Sequence, residues 1–157
     1  MSERYFEDFA VGQVFKPSGR VRVEKDEIIA FAKKFDPQPF HLDEAAAQDS
    51  VFHGLAASGW HTAAATMRLL VTGDFRLAGG LIGLGAEIAW PEPVRPGDTL
   101  RVESEITEIS PSRTKPDRGV VVVRSITINQ NERPVQVLTA KLLVFRRAAD
   151  ATLPQLL

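Results

Sequence analysis

Residues 58–72 read SGWHTAAATMRLLVT, apolar on nearly every side. Ser58 is suited to cap a helix, the alanines at 63–65 are strong helix formers, and Gly73 offers a C-terminal stop. Only Thr62, Thr66 and Arg68 interrupt the apolar surface, so this helix is expected to be buried rather than to lie on a surface. Beyond residue 79 the hydrophobic period changes to two: Ile82, Leu84, Ala86, Ile88 and Trp90 share one strand face, and Gly83, Gly85 and Glu87 the other. Pro91, Pro93 and Pro96-Gly97-Asp98 break that strand. Residues 99–109, 119–129 and 135–146 read as three more strands, joined through turn-rich segments at 110–119 and 129–134. An all-round apolar helix needs a surface to bury it. Consecutive strands able to pair as a strongly curved antiparallel sheet supply one. The expected fold class is α+β: a single domain with a curved antiparallel sheet wrapped around a long central helix. Gly83 and Gly85 are placed to let the sheet bend or another backbone approach.

Upstream, residues 24–35 (EKDEIIAFAKKF) place Ile28, Phe31, Ala32 and Phe35 on one helical face. Glu24, Asp26 and Glu27 open that helix and Lys33 and Lys34 close it, in keeping with its dipole. Pro37 stops it. In DPQPFH (36–41), two prolines two apart argue against a helix and push Asp36 and Gln38 towards extended geometry. Residues 43–47 form a short helix, 49–57 a connection, and 1–23 one or two short strands. Residues 149–157 read as a C-terminal tail, leaving 1–148 as the domain.

The 157 residues carry 19 Lys and Arg against 20 Asp and Glu, a net charge of −1 that argues against a nucleic-acid binder relying on a basic surface. The absence of cysteine excludes disulfides, a thiolate nucleophile and thiolate-bound metals. No apolar run approaches the ~18–20 residues that span a bilayer. The acidic start MSERYFEDF lacks the apolar stretch of a signal peptide, so a soluble, cytoplasmic protein with no membrane partner is expected.

All three histidines, His41, His53 and His61, lie within 21 residues of one another, with Asp36, Asp43 and Ser58 in or beside that window. A histidine and a nearby carboxylate are what proton transfer to and from a water requires. Fully extended, the segment would hold Asp36 and His41 roughly 15 Å apart, so it must curl if both are to touch one water. Each residue also has a structural role open to it. Asp36 can cap the preceding helix, Asp43 the following one, and a lone histidine can simply be satisfied in a core. The histidine spacings are not those of a helical zinc site, and no metal is expected.

The segment F35-D36-P37-Q38-P39-F40-H41-L42-D43 resembles the hydratase-2 motif of MaoC-like dehydratases and R-specific enoyl-CoA hydratases, roughly G-D-x-N-P-[LIV]-H-x-[DE]-x-A. Asp36, Pro39, His41, Asp43 and Ala45 match it in residue and spacing. F52-H53-G54-L55-A56-A57-S58-G59-W60 is similar to the family's start of its central helix, V94-R95-P96-G97-D98-T99-L100 to its strand start, and Asn129-Gln130 and the closing strand to Arg146-Arg147 also have counterparts there. The chain departs from the pattern at Phe35, where Gly is usual, at Gln38 for Asn, at Phe40 for a smaller aliphatic residue, and at Ser58, where His is common.

The resemblance implies the hotdog fold, pairing as a homodimer, and reversible syn hydration of trans-2-enoyl thioesters of CoA or acyl-carrier protein to the (R)-3-hydroxyacyl product. It assigns Asp36 and His41 to holding and activating the water. Negative charge develops on the thioester oxygen as water adds, and the free N–H groups at Ser58–Gly59 are a natural place to stabilise it, Gly59 permitting close approach. Trp60 and Phe40 are further candidates for the acyl pocket. Arg113, Lys115 and Arg118 form either a contact for CoA phosphates or a solvated hairpin tip. No cofactor is required, because hydration moves no electrons. A hotdog thioesterase is a competing reading, weakened because residues 58–72 contain no acid. A non-catalytic acyl-thioester binding subunit is another.

Overall fold

The fold is built on three long strands, β4 (Thr99–Pro111), β5 (Arg118–Ile128) and β6 (Pro134–Phe145), in a computed structural model that describes residues 2–148. The expected tail at 149–157 lies outside the described residues. Strands β1 (Val14–Phe15), β2 (Val21–Arg22) and β3 (Ile82–Ala89) complete a six-stranded antiparallel sheet in the order β1-β4-β5-β6-β3, with β2 also on β4. Along β4, Leu100, Val102, Ser104 and Ile106 alternate inward, and on β5 Val121, Val123, Ser125 and Thr127 do the same. Inward residues meet across the ladder, Ile106 opposite Val123 and Val121 opposite Leu142. The strands run as expected to within a residue or two, and the sheet carries register shifts at Gly83/Gly85 and at Ile106/Glu108.

Helices α1 (Lys25–Phe35), α2 (Pro39–Leu42) and α3 (Glu44–Gln48) precede the central helix α4 (Gly59–Thr72). Helix α4 lays Thr62, Ala65, Thr66, Leu69 and Leu70 against the sheet. Phe9, Phe15 and Phe75 close the core, with ring centroids 4.9–6.2 Å apart.

Two expectations are corrected. Helix α4 is not buried all round, because the sheet encloses only one side of it. Trp60, Met67 and Val71 remain exposed, and so do Ile82 and Leu84 on β3, which among the described residues pairs only with β6. The segment after Pro37 does contain a helix, the single turn α2. Pro39 occupies its first position, where a missing N–H costs nothing and the fixed φ already suits a helix.

The turn into β4 explains the VRPGD sequence. Asp98 Oδ2 accepts from the Arg95 N–H at 2.9 Å and Oδ1 from Gln130 Nε2 at 2.9 Å, while Gly97 takes φ +87°. Gln130 Oε1 accepts from the Thr99 N–H at 3.0 Å, so the start of β4 is tied to the β5–β6 turn.

Candidate active site

Asp36 is the C-cap of α1, and its own N–H closes that helix on the Ala32 carbonyl at 2.9 Å. The chain then reverses: the Gln38 N–H returns to the Asp36 carbonyl at 2.8 Å, and α2 follows at once. This curl brings His41 Nε2 to 3.3 Å from Asp36 Oδ2. His41 is buried at 4% exposure, and the carboxylate is largely covered. On the other side of the ring, Nδ1 lies 2.6 Å from the Ala56 carbonyl. A carbonyl only accepts, so Nδ1 carries a proton and Nε2 is the nitrogen left to exchange one.

Three groups act on Asp36 beside its burial. Burial is the largest single influence and raises the carboxyl. The Ser58 hydroxyl, the Gln38 amide and the His41 charge together outweigh it and hold the group below its ordinary aspartate value. The Gln38 contact is short, Nε2 donating to Oδ1 at 2.6 Å, so the glutamine standing for asparagine still delivers an amide to the carboxylate. Ser58 caps α4, its Oγ accepting from the Trp60 N–H at 3.3 Å. Among the described residues, the Gly59 N–H has no hydrogen-bond partner.

The loop that supplies the Ala56 carbonyl is held from outside. The Arg95 guanidinium donates to the carbonyls of Gly54 (2.9 Å), Leu55 (3.3 Å) and Phe52. His53, at the tip of that loop, is exposed with φ +52°. His61 stacks on Phe31 at 4.8 Å with its Nδ1 buried and unpartnered. Among the described residues no group of three or more His, Asp or Glu side chains is arranged to hold a metal.

A cavity of about 430 Å³ opens beside the pair, walled among others by Gln38, Phe40, His41, Phe52, Gly59 and Trp90. Phe40 packs edge-on against His41 at 4.6 Å and against Phe52 at 5.1 Å. Trp60 is 60% exposed and is not part of this wall, whereas Trp90, which touches it edge-on at 5.3 Å, is. The space that Gly59 leaves faces the Trp90 ring, since a Cβ built there would lie 2.6–2.8 Å from three indole atoms. Phe35 is exposed and packs at a tilt against Phe31, with ring centroids 5.1 Å apart. Asp43 caps α3 by accepting from the Ala46 N–H at 2.9 Å. The 112–117 hairpin lies at the other end of β5 from Thr127, and Arg118 is paired there with Asp117 at 2.9 Å. Sequence reasoning overlooked Trp90 as a wall, the Ala56 carbonyl and Arg95. Only the tryptophan, set before a Pro-x-Pro break, left a mark to follow.

A curved antiparallel sheet half-wrapped around one helix, with a carboxylate–imidazole pair at the start of that helix, defines a hotdog protein equipped for acid–base chemistry. The chain belongs to the MaoC-like domain family, whose model matches residues 8–130. Its solved relatives include the MaoC-like dehydratase from Rhodospirillum rubrum, 57% identical over 93% of this chain and 99% of that one, with a TM-score of 0.90. The unliganded R-hydratase PhaJ1 from Pseudomonas aeruginosa is 25% identical over 98% of this chain and 95% of that one, with a TM-score of 0.70. Among curated sequences, the uncharacterized protein YdeM of Bacillus subtilis is 36% identical over 88% of this chain and 95% of its own length. A 3-hydroxybutyryl-CoA dehydratase of Methylorubrum extorquens is 31% identical over 71% of this chain and 69% of its own. Among the described residues, no helix is long and apolar enough to cross a membrane.

Proposed function

We propose that the protein is an enoyl-thioester hydratase, adding water to trans-2-enoyl-CoA or enoyl-acyl-carrier-protein thioesters to give (R)-3-hydroxyacyl products, and running in reverse as a dehydratase. The observation that carries this reading is the 3.3 Å contact between Asp36 Oδ2 and His41 Nε2 beside a cavity that reaches the start of α4. The relative named as a 3-hydroxybutyryl-CoA dehydratase and the R-hydratase PhaJ1 support it.

The water sits against Asp36 and His41. Its hydroxyl bonds to C3, its proton passes to the pair, and a proton returns from the pair to C2, so the atoms balance and no electrons are gained or lost. No redox cofactor is called for. Negative charge that gathers on the thioester oxygen meets the unpartnered Gly59 N–H and the positive end of α4. Trp60, Met67 and Val71 of α4 and Ile82 and Leu84 of the edge strand β3 are exposed apolar side chains, which a second copy of the chain covers in a homodimer. The reaction takes place in the cytoplasm.

Incubation with crotonyl-CoA, following enoyl absorbance and free thiol together, tests the reading. Loss of absorbance without thiol is expected. Thiol release would instead indicate a thioesterase, and saturable binding without either change a binding subunit. Asp36→Asn and His41→Ala are each expected to abolish hydration with the circular dichroism spectrum unchanged. Near-wild-type turnover by either variant removes the pair from the mechanism.

A further inference from the structure

We propose that Trp90 sets how large an acyl group the site accepts, and that the buried Gln136 is the residue that holds it in place. The proposal rests on the acyl-thioester reading above and assigns the wall of that site.

Trp90 follows the last residue of β3 and lines the same cavity as His41, Phe40 and Phe52. A tryptophan in a half-open position has several rotamers to choose from. Here one is selected from two directions. The indole lies over Gly59 so closely that no side chain fits between them. Its Nε1–H donates to Gln136 Oε1 at 3.0 Å.

Gln136 is fully buried, at 0% exposure, in the face of the sheet that packs on α4. An amide in that position is costly to bury unless both its ends are bonded. Its Nε2 donates to Thr66 Oγ1 at 3.1 Å. Thr66 donates its single hydroxyl proton to the Thr62 carbonyl at 2.9 Å, so Thr127 Oγ1, 2.6 Å away, is the donor of the hydroxyl pair. With that proton placed, Thr66 accepts twice and donates once, and the glutamine amide has one orientation only: nitrogen to Thr66, oxygen to the indole. Each link of the chain Thr127–Thr66–Gln136–Trp90 is a hydrogen bond with a defined donor. Thr66, Thr127 and Gln136 are all at 0% exposure, so water does not compete for the bonds among these three. An apolar residue at 136 would pack the core at lower cost but would leave the indole N–H unheld.

The consequence is a rigid aromatic wall in a cavity of about 430 Å³. A fixed wall discriminates by size, and a methylene too many in such a pocket changes selectivity by about 10–200-fold.

The test compares binding of two saturated thioesters, butyryl-CoA and octanoyl-CoA, by calorimetry on wild type, Trp90→Phe, Trp90→Ala and Gln136→Met, beside the hydration of crotonyl-CoA and trans-2-octenoyl-CoA. Trp90→Ala is expected to raise the octanoyl-to-butyryl affinity ratio at least about tenfold. Trp90→Phe should move it less, and Gln136→Met in the same direction by freeing the ring. A ratio within about twofold of wild type in Trp90→Ala overturns the wall. A Gln136→Met protein that melts earlier but keeps the wild-type ratio shows a purely structural amide and overturns its positioning role. Because binding is read without turnover, a wild type that binds both thioesters yet hydrates neither defeats the hydratase reading while the ratio still judges Trp90. A wild type that binds neither defeats both.

Discussion

Replacing Gly59 with alanine puts a methyl group where the indole of Trp90 already lies. The added Cβ would stand 2.6, 2.7 and 2.8 Å from Trp90 Cε2, Cδ2 and Cζ2, against an optimum of ~3.5–4.0 Å between carbons. Relief requires a shift of about 1 Å, and the indole, held by a single hydrogen bond, yields before α4, which is packed on the sheet. That shift stretches the 3.0 Å bond to Gln136 beyond hydrogen-bonding distance and strands a fully buried amide oxygen, at a cost of about 1–3 kcal/mol. Alanine's higher propensity is worth about 1 kcal/mol in a helix interior and returns little at the first position of α4, so Gly59→Ala should destabilise by about 1–3 kcal/mol. The same substitution in a Trp90→Ala background meets no ring and should be neutral or stabilising, giving a coupling of about 1–3 kcal/mol. Urea unfolding followed by far-ultraviolet circular dichroism measures all four corners of that cycle without relying on tryptophan emission. An alanine variant as stable as wild type, or one that pays the same penalty with and without the ring, refutes the packing described for Trp90.

Arg95→Met removes every hydrogen bond that the guanidinium makes to the 52–55 loop, so the Ala56 carbonyl loses its support. A fall in kcat of up to about 100-fold is expected from sub-ångström misplacement of His41, with no rescue by lysine, which lacks the fork; unchanged kcat with crotonyl-CoA would detach the loop from the pair. His61→Phe keeps the stack on Phe31 and removes a buried nitrogen that has no partner. Burial holds the His61 imidazole below its ordinary 6.5, with the Glu27 charge opposing. The folded chain therefore takes up that proton less readily than the unfolded one, and the stability tied to neutral His61 is present above pH 6.5 and lost as pH falls below it. Urea midpoints at pH 7.5 and 5.5 should drop less in the phenylalanine variant than in wild type, and equal drops would clear His61 of any part in the slope.

The strands were legible because inward residues alternate from Leu100 to Ile106 on β4, and because β5 carries the β-branched run 120–123 bounded by turn residues, although Val121, Val122 and Val123 are all buried. The capping of α3 by Asp43 and of α4 by Ser58 was legible because short polar side chains before helix-forming runs have few other uses. The burial of α4 was overread: apolar composition marks a surface that wants covering, but does not say whether the same chain covers it. The turn at α2 was missed because a proline count ignores position, and Pro39 falls at the one helical position that suits it. Trp90 was assigned to a strand face because periodicity carries through residue 90, whereas its real partners, Gln136 and Gly59, are remote in sequence.

The departures from the family motif take on a different meaning once the anchors of the pair are known. Asp36 is placed by the end of α1, and His41 by α2 and the Ala56 carbonyl. These are backbone devices, to which residues 35, 38 and 40 contribute main-chain atoms rather than side chains. Phe35 turns outward onto Phe31, and Gln38 reaches Asp36 with the same amide that an asparagine would offer from a shorter stem. Gln38 and Phe40 both line the cavity, where Phe40 joins Phe52 and Trp90 in an aromatic wall. Substitutions around the motif therefore alter the volume and polarity of the pocket while leaving the 3.3 Å contact where the backbone put it. In the hydratase reading, chemistry and selectivity fall to separable parts of this chain, the first to helix ends and one carbonyl, the second to rings packed around them.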